Sequence, residues 1–171
     1  MDILNSAART ANLMVLSKAG KDPSLSGMGT TMTACTISGG KCYIIHIGDS
    51  RAYIAKGGVL TQLTYDHSYV NEMVRAGKMT PEEAKGHPRR NVLTRVLGFS
   101  EEMSADGYVH DVESNSVVLL CSDGLYNMVP DKKINKIATS SSEPAKKLVD
   151  TANKNGGKDN ISVVIIRIGA Q

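Results

Sequence analysis

Cysteine is scarce in this chain, and its cysteines do not pair by spacing. Cys35, Cys42 and Cys121 are odd in number, form no C-x-x-C and sit in apolar stretches. That excludes a disulfide scaffold and points to reduced, buried thiols in the cytoplasm. Aromatic residues are few as well: no Trp, one Phe and six Tyr. Long apolar runs are missing; the run 163–166 is far too short to cross a bilayer, so no membrane association is expected. No signal peptide is expected ahead of the first helix, because Asp2, Asn5 and Arg9 interrupt any apolar core there. Charge of one sign is also lacking. Twenty Lys and Arg stand against 17 Asp and Glu, a net +3, with no like-charged run beyond two or three residues. So weak a bias excludes any argument from charge for a nucleic-acid partner.

What is present, over 171 residues with 41% apolar content, is enough for a single domain with a real core. Residues 2–18 read as an amphipathic helix, with Ile3, Ala7, Leu13, Met14 and Leu16 near helical spacing and Gly20 ending it. Residues 31–38, 42–47, 51–56 and 59–64 read as a meander of four antiparallel strands. Gly39-Gly40 and Gly57-Gly58 form tight turns in it, and Gly48-Asp49-Ser50 interrupts it. Residues 67–76 read as a helix stopped by Gly77, and Thr80-Pro81-Glu82-Glu83 fits a capping box. The polar, Gly-punctuated stretch 68–90 reads as a mobile insertion beside the sheet. Residues 104–112 and 117–121 read as strands, 131–139 and 143–155 as helices, and 161–168 as a buried last strand. Strands in runs, with helices grouped between them, predict an α+β layered domain rather than a βαβ fold.

Three aspartates share one context. Asp66 follows a strand, Asp123 follows "VVLLC", and Asp159 precedes "ISVVIIRI". Each has a neighbour that lets the backbone turn: Ser68, Gly124, and Gly157 with Asn160. If these strand ends share one edge, the carboxylates converge and need a cation between them. Hard oxygen ligands without a Cys/His set favour Mg²⁺ or Mn²⁺ over zinc. An aspartate at such a junction also serves as a cap or turn residue, and spacing alone leaves both readings open. Other motifs are weaker. "GDS" at 48–50 lacks the late Asp-x-x-His of a GDS esterase, "GMGTT" at 27–31 lacks the Lys of a P-loop, and Asp66-His67-Ser68 are too close in sequence for a triad.

"GMGTTMTACTI", "IIHIGDSRAYIAKGGVLTQLTYDHSYVNEMVRAGKMTPEEA", "HPRRNVLTRVLG", "LLCSDGLYNMV" and "GGKDNISVVII" occur in this order. Together they resemble a bacterial metal-dependent Ser/Thr protein phosphatase of the type 2C class, over about 2–168. The resemblance implies an αββα sandwich: two antiparallel sheets flanked by helices, with a binuclear Mn²⁺/Mg²⁺ centre at one end. It implies hydrolysis of phosphoserine and phosphothreonine in proteins by a metal-activated water, without a phospho-enzyme. Asp123 and Asp159 resemble ligands of the core metals, with Asn160 bracing the turn, and Asp66 resembles the ligand of a third, looser ion. Asn127 stands where many members carry another Asp, one carboxylate fewer for that third ion. Residues 68–90 would be the flap that shapes substrate access. The implied partners are Ser/Thr-phosphorylated proteins and a bacterial Ser/Thr kinase whose action the phosphatase opposes.

Two blocks of that class are missing: "R-x-x-N-E-D" and "D-G-M-G-G" do not occur. Their phosphate-gripping Arg, Asp ligand and bridging Asp with its Gly carbonyl are therefore not supplied. The chain is expected to correspond to the C-terminal two-thirds of such a domain, to bind metal weakly and to catalyse little by itself. Open sheet edges would favour an edge-paired or swapped dimer. A catalytically silent module, acting by binding or regulation, is the alternative reading.

Overall fold

The computed structural model describes residues 1–169. Its elements, in order, are α1 (Asp2–Lys21), a 3₁₀ turn (Pro23–Leu25), β1 (Met32–Ser38), β2 (Lys41–Ile47), β3 (Arg51–Lys56) and β4 (Val59–Gln62), then α2 (Tyr69–Arg75), α3 (Pro81–Gly86), β5 (Asp106–Asp111), β6 (Val117–Cys121), α4 (Asp123–Tyr126), α5 (Asp131–Ser140), α6 (Pro144–Lys154) and β7 (Val163–Arg167). The strands form two antiparallel sheets, β1-β2-β5 and β4-β3-β6-β7, flanked by helices, the class the sequence predicts. Among the described residues no helix is long and apolar enough to cross a membrane. None of the three cysteines is joined in a disulfide; Cys42 and Cys121 are buried and Cys35 partly so.

The predicted meander of four strands is corrected. β1 and β2 belong to one sheet and β3 and β4 to the other. The chain leaves the first sheet at Gly48, whose φ of +105° is strained for any residue with a side chain. A Cβ there would lie 2.3 Å from the Thr31 side chain, so the turn at "GDS" also needs the space a glycine leaves. The last strand is corrected too. β7 is a sheet edge rather than a buried strand, and Val164 on it is 50% exposed.

Two compact units divide the chain. The first comprises Met1–Thr36, Tyr43–Asp49 and Tyr65–Tyr108; the second comprises Ile37–Cys42, Ser50–Thr64 and Val109–Gln171. In the first, α1 runs through Gly20, because a helical glycine costs only about 1 kcal/mol. It stops where Pro23 forces Asp22 into an extended conformation. The face that α1 buries is not the predicted one. Ala8 and Asn12, four residues apart, are covered, while Ile3, Leu13 and Met14 stay exposed. The Asn12 amide decides the orientation: its Oδ1 accepts from the Gly98 N–H and its Nδ2 donates to the Ser100 carbonyl, both at 2.8 Å. The stretch 68–90 folds as α2, capped by Ser68, and α3, whose Thr80–Glu83 capping box forms as predicted.

In the second unit β6 lies between β3 and β7, in register Tyr53↔Leu119 and Leu119↔Ile165. Helices α5 and α6 lay their apolar stripes on this sheet. Tyr53, Leu119, Leu125, Ile134, Leu148 and Ala152 form one buried cluster. Leu148 is fully buried, so Leu148→Ala should destabilise the protein by about 3 kcal/mol, read as a lower urea midpoint at unchanged m-value.

Candidate metal centre

Strand β6 ends at Cys121 and delivers Ser122-Asp123-Gly124 to the start of α4. Ser122, rather than Asp123, occupies the N-cap position, and its side chain makes no capping hydrogen bond to the helix. The Ser122 hydroxyl donates to the Asn160 carbonyl at 2.9 Å and accepts from the Ser162 N–H at 2.9 Å. The Ser122 N–H donates to the Ser162 carbonyl at 3.1 Å. Gly124 completes the contact: a Cβ on it would lie 2.4 Å from the Asn160 carbonyl oxygen. Only a glycine lets the two chain segments approach this closely, and the approach carries Asp159 toward Asp123.

The two carboxylates consequently feel each other. Burial, and then the charge of Asp159, push the Asp123 carboxyl above its usual range. Opposing this are the N–H of Gly124 and, more distantly, the Arg51 guanidinium. Arg51 opens β3 opposite Cys121, stacks 3.6 Å from the centre of the Tyr126 ring and donates to the Tyr53 hydroxyl at 3.0 Å. Asn127, one turn on in α4, donates to Asp123 Oδ2 at 3.3 Å. Asp159 is exposed, and its Oδ1 accepts from the Asn160 N–H at 2.7 Å. Its side chain thus holds the local backbone at Asn160, and its charge also reaches Asp123. Arg51 and Ser122 are not singled out by motif, and Gly124 is noted only as a residue that lets the backbone turn. The register of Arg51 with Cys121 exists only once β3 and β6 are paired.

Asp66 belongs to the first unit, where it is buried, and its Oδ2 accepts from Asn71 Nδ2 at 3.1 Å. The same Asn71 amide donates to Ser68 Oγ at 3.0 Å, fixing the start of α2. The residue after Asp66 anchors this loop. His67 donates its N–H to the Gly48 carbonyl at 2.7 Å, and His67 Nδ1 accepts from the Gly48 N–H at 3.1 Å. That leaves the ring proton on Nε2, which donates to Asp106 Oδ2 at 3.1 Å. Burial holds His67 below its ordinary pKa, so this contact is a hydrogen bond from a neutral imidazole. Burial alone would raise the Asp106 carboxyl, but His67 and Arg95 outweigh it and hold Asp106 low. Behind His67 lies His46, fully buried, with ring centres 4.8 Å apart. His46 Nε2 donates to the Tyr65 carbonyl at 3.0 Å and Nδ1 accepts from Thr33 Oγ1 at 2.8 Å.

Among the described residues, no three His, Cys, Asp or Glu side chains form a group able to hold a metal. The pair Asp123 and Asp159 nevertheless fits a hard divalent cation by donor chemistry. Both offer carboxylate oxygens, and a cation between them would relieve the effect of the Asp159 charge on Asp123.

The sequence profile described as Protein phosphatase 2C matches residues 2–161. The serine/threonine phosphatase stp of Listeria monocytogenes is 39% identical over 166 residues, covering 95% of this chain and 66% of that protein. The chain thus spans just under two thirds of the length of that curated relative. The crystal structure of the Mycobacterium tuberculosis serine/threonine phosphatase PstP/Ppp superposes with a TM-score of 0.90 at 36% identity, covering 98% of this chain and 72% of that one. A catalytic domain of PstP in complex with two manganese ions superposes at 0.83 and 35% identity, over 95% and 68% of the two chains.

Two expectations follow. The raised Asp123 carboxyl binds its proton more tightly in the folded state, so its ionisation costs stability as pH rises through the folded pKa. Asp123→Asn should stabilise the metal-free protein near neutral pH. The gain should fade as pH falls below the ordinary carboxylate range, in melts run across pH. His46 behaves oppositely in acid. Burial, then the charge of His67, lower it from 6.5 to about 4. Its neutral form therefore contributes stability above pH 6.5 that is lost as pH falls toward 4, by about 3 kcal/mol in all. Urea unfolding of a His46→Gln variant should show a flatter dependence over that window.

Proposed function

Since the chain belongs to the protein phosphatase 2C family, we propose that its site serves the hydrolysis of phosphoserine and phosphothreonine in proteins. Asp123 and Asp159 would hold the core Mn²⁺ or Mg²⁺ ions, and Asp66 a third, looser one. The observation that carries this reading is the Gly124–Asn160 contact, which brings Asp159 near enough for its charge to act on the Asp123 carboxyl. The family's metal dependence has support in a structural neighbour with two manganese ions. When bound, such an ion polarises water and neutralises phosphate charge.

The chain's own groups do the positioning. Ser122 and Asn160 fix the distance between the two strand ends, and Asn127 orients the Asp123 carboxylate. The Tyr126 ring and the Tyr53 hydroxyl hold the Arg51 guanidinium where it offsets part of the anionic charge. Residues 68–90, built from α2 and α3, are read as the flap that shapes substrate access. Phosphorylated proteins are the substrates, a bacterial Ser/Thr kinase is the opposing partner, and the cytoplasm is the compartment. The open edge of β7, with Val164 half-exposed, supports an edge-paired or swapped dimer. The absence of a three-ligand group among the described residues favours a second reading, a catalytically silent module, for this chain acting alone.

Manganese titration by calorimetry, beside hydrolysis of a small aryl phosphate, separates the readings. The expected result is weak Mn²⁺ binding, lost in both Asp123→Asn and Asp159→Asn, with little turnover. Binding that survives both substitutions would remove these residues as ligands. Brisk Mn²⁺-dependent turnover abolished by both would instead remove the silent reading.

A further inference from the structure

Helices α5 and α6 carry six lysines and two aspartates, a net +4, whereas the entire chain is only +3. Their apolar stripes are used up on the sheet: Ile134, Ile137 and Ala138 from α5, Leu148 and Ala152 from α6. On α5, Lys133, Lys136 and Ser140 follow one another at helical spacing along a single stripe. On α6, Lys147, Thr151 and Lys154 do the same. The two stripes face each other across a groove of about 510 Å³, with Ile137 in its lining.

Every other polar side chain there is already committed. The Ser140 and Thr151 hydroxyls donate to carbonyls of their own helices, at Lys136 and Lys147, and Asn155 Nδ2 donates to the Met128 carbonyl. The four ammonium groups are exposed, and none is paired with a carboxylate among the described residues. No carboxylate lines the groove. Four like charges around one concavity repel each other until an anion enters.

We propose that this groove docks an extended acidic segment of a partner protein. The choice of partner follows from what surrounds the lysines. Neither helix exposes a large apolar side chain that could anchor in a bilayer, and no aromatic ring lines the groove for a nucleobase to stack on. The α6 side of the groove, from Lys147 to Asn155, spans about 12 Å of helix and accommodates about four residues of extended chain. Recognition is by charge alone, since only ammonium donors are free. The partner is thus defined by glutamate and aspartate density rather than by a fixed motif. The dock requires nothing of the Asp123 site.

The test is fluorescence anisotropy of a fluorescein-labelled octaglutamate peptide with the whole chain at low ionic strength. Lys136→Glu/Lys147→Glu should weaken binding roughly tenfold or more, and added salt should weaken it for the unaltered chain. Lys18→Glu/Lys21→Glu, the same charge change at exposed positions of α1, should bind like the unaltered chain. Circular dichroism confirms that both variants stay folded. Equal loss in the two variants, or no binding by the unaltered chain, overturns the proposal. So does tighter binding of phosphatidylserine vesicles or of oligouridylate through the same lysines, which would assign the groove to a membrane or to RNA.

Discussion

The candidate centre depends on a backbone approach rather than on a side-chain interaction. Gly124 sits so near the Asn160 carbonyl that no Cβ fits between them, and the Ser122 hydroxyl bonds Asn160 and Ser162 across the seam. Everything else at that end of β6 is arranged around this approach. It fixes the separation of Asp123 and Asp159, and it is the reason their charges interact. Bringing the two carboxylates near each other is then an energetic liability built into the fold, since the charge of one disfavours ionisation of the other.

Much of this was legible in the sequence, for identifiable reasons. β3 and β6 are recovered with their limits intact because each is a short apolar run closed by glycine or a polar turn. The capping box of α3 is legible because its hydrogen bonds are local and need only four residues to form. Asp123, Asp159 and Asp66 stand out because a carboxylate next to a buried strand demands an explanation. What the sequence hid is non-local. Nothing in the pattern of 31–64 says that Gly48 sends the chain into a second sheet. That depends on the Thr31 side chain closing the space beside it. Nor does periodicity reveal the buried face of α1, which an asparagine and two distant backbone groups decide against the helix's own aliphatic residues. Strand β7 reads as buried because Val and Ile dominate it, yet hydrophobic content does not distinguish a buried strand from a half-exposed edge.

Two chemistries are thus kept apart within one chain. Around Asp123 and Asp159 negative charge is concentrated and partly shielded from water; along α5 and α6 positive charge is concentrated and fully wet. Both arise on elements packed against the same β3-β6-β7 sheet, whose aliphatic core holds α5 and α6 in register with the strand ends.

The hydrogen bond from the Gly48 amide to an imidazole nitrogen has a consequence for observation. Most buried amides donate to carbonyls, which remain acceptors at any pH. This one donates to His67 Nδ1, which ceases to accept as soon as it carries a proton of its own. The Gly48 amide resonance and its hydrogen-exchange rate therefore report the ionisation of His67 directly. A backbone signal at the "GDS" turn becomes an internal indicator for a ring that is itself sealed from solvent.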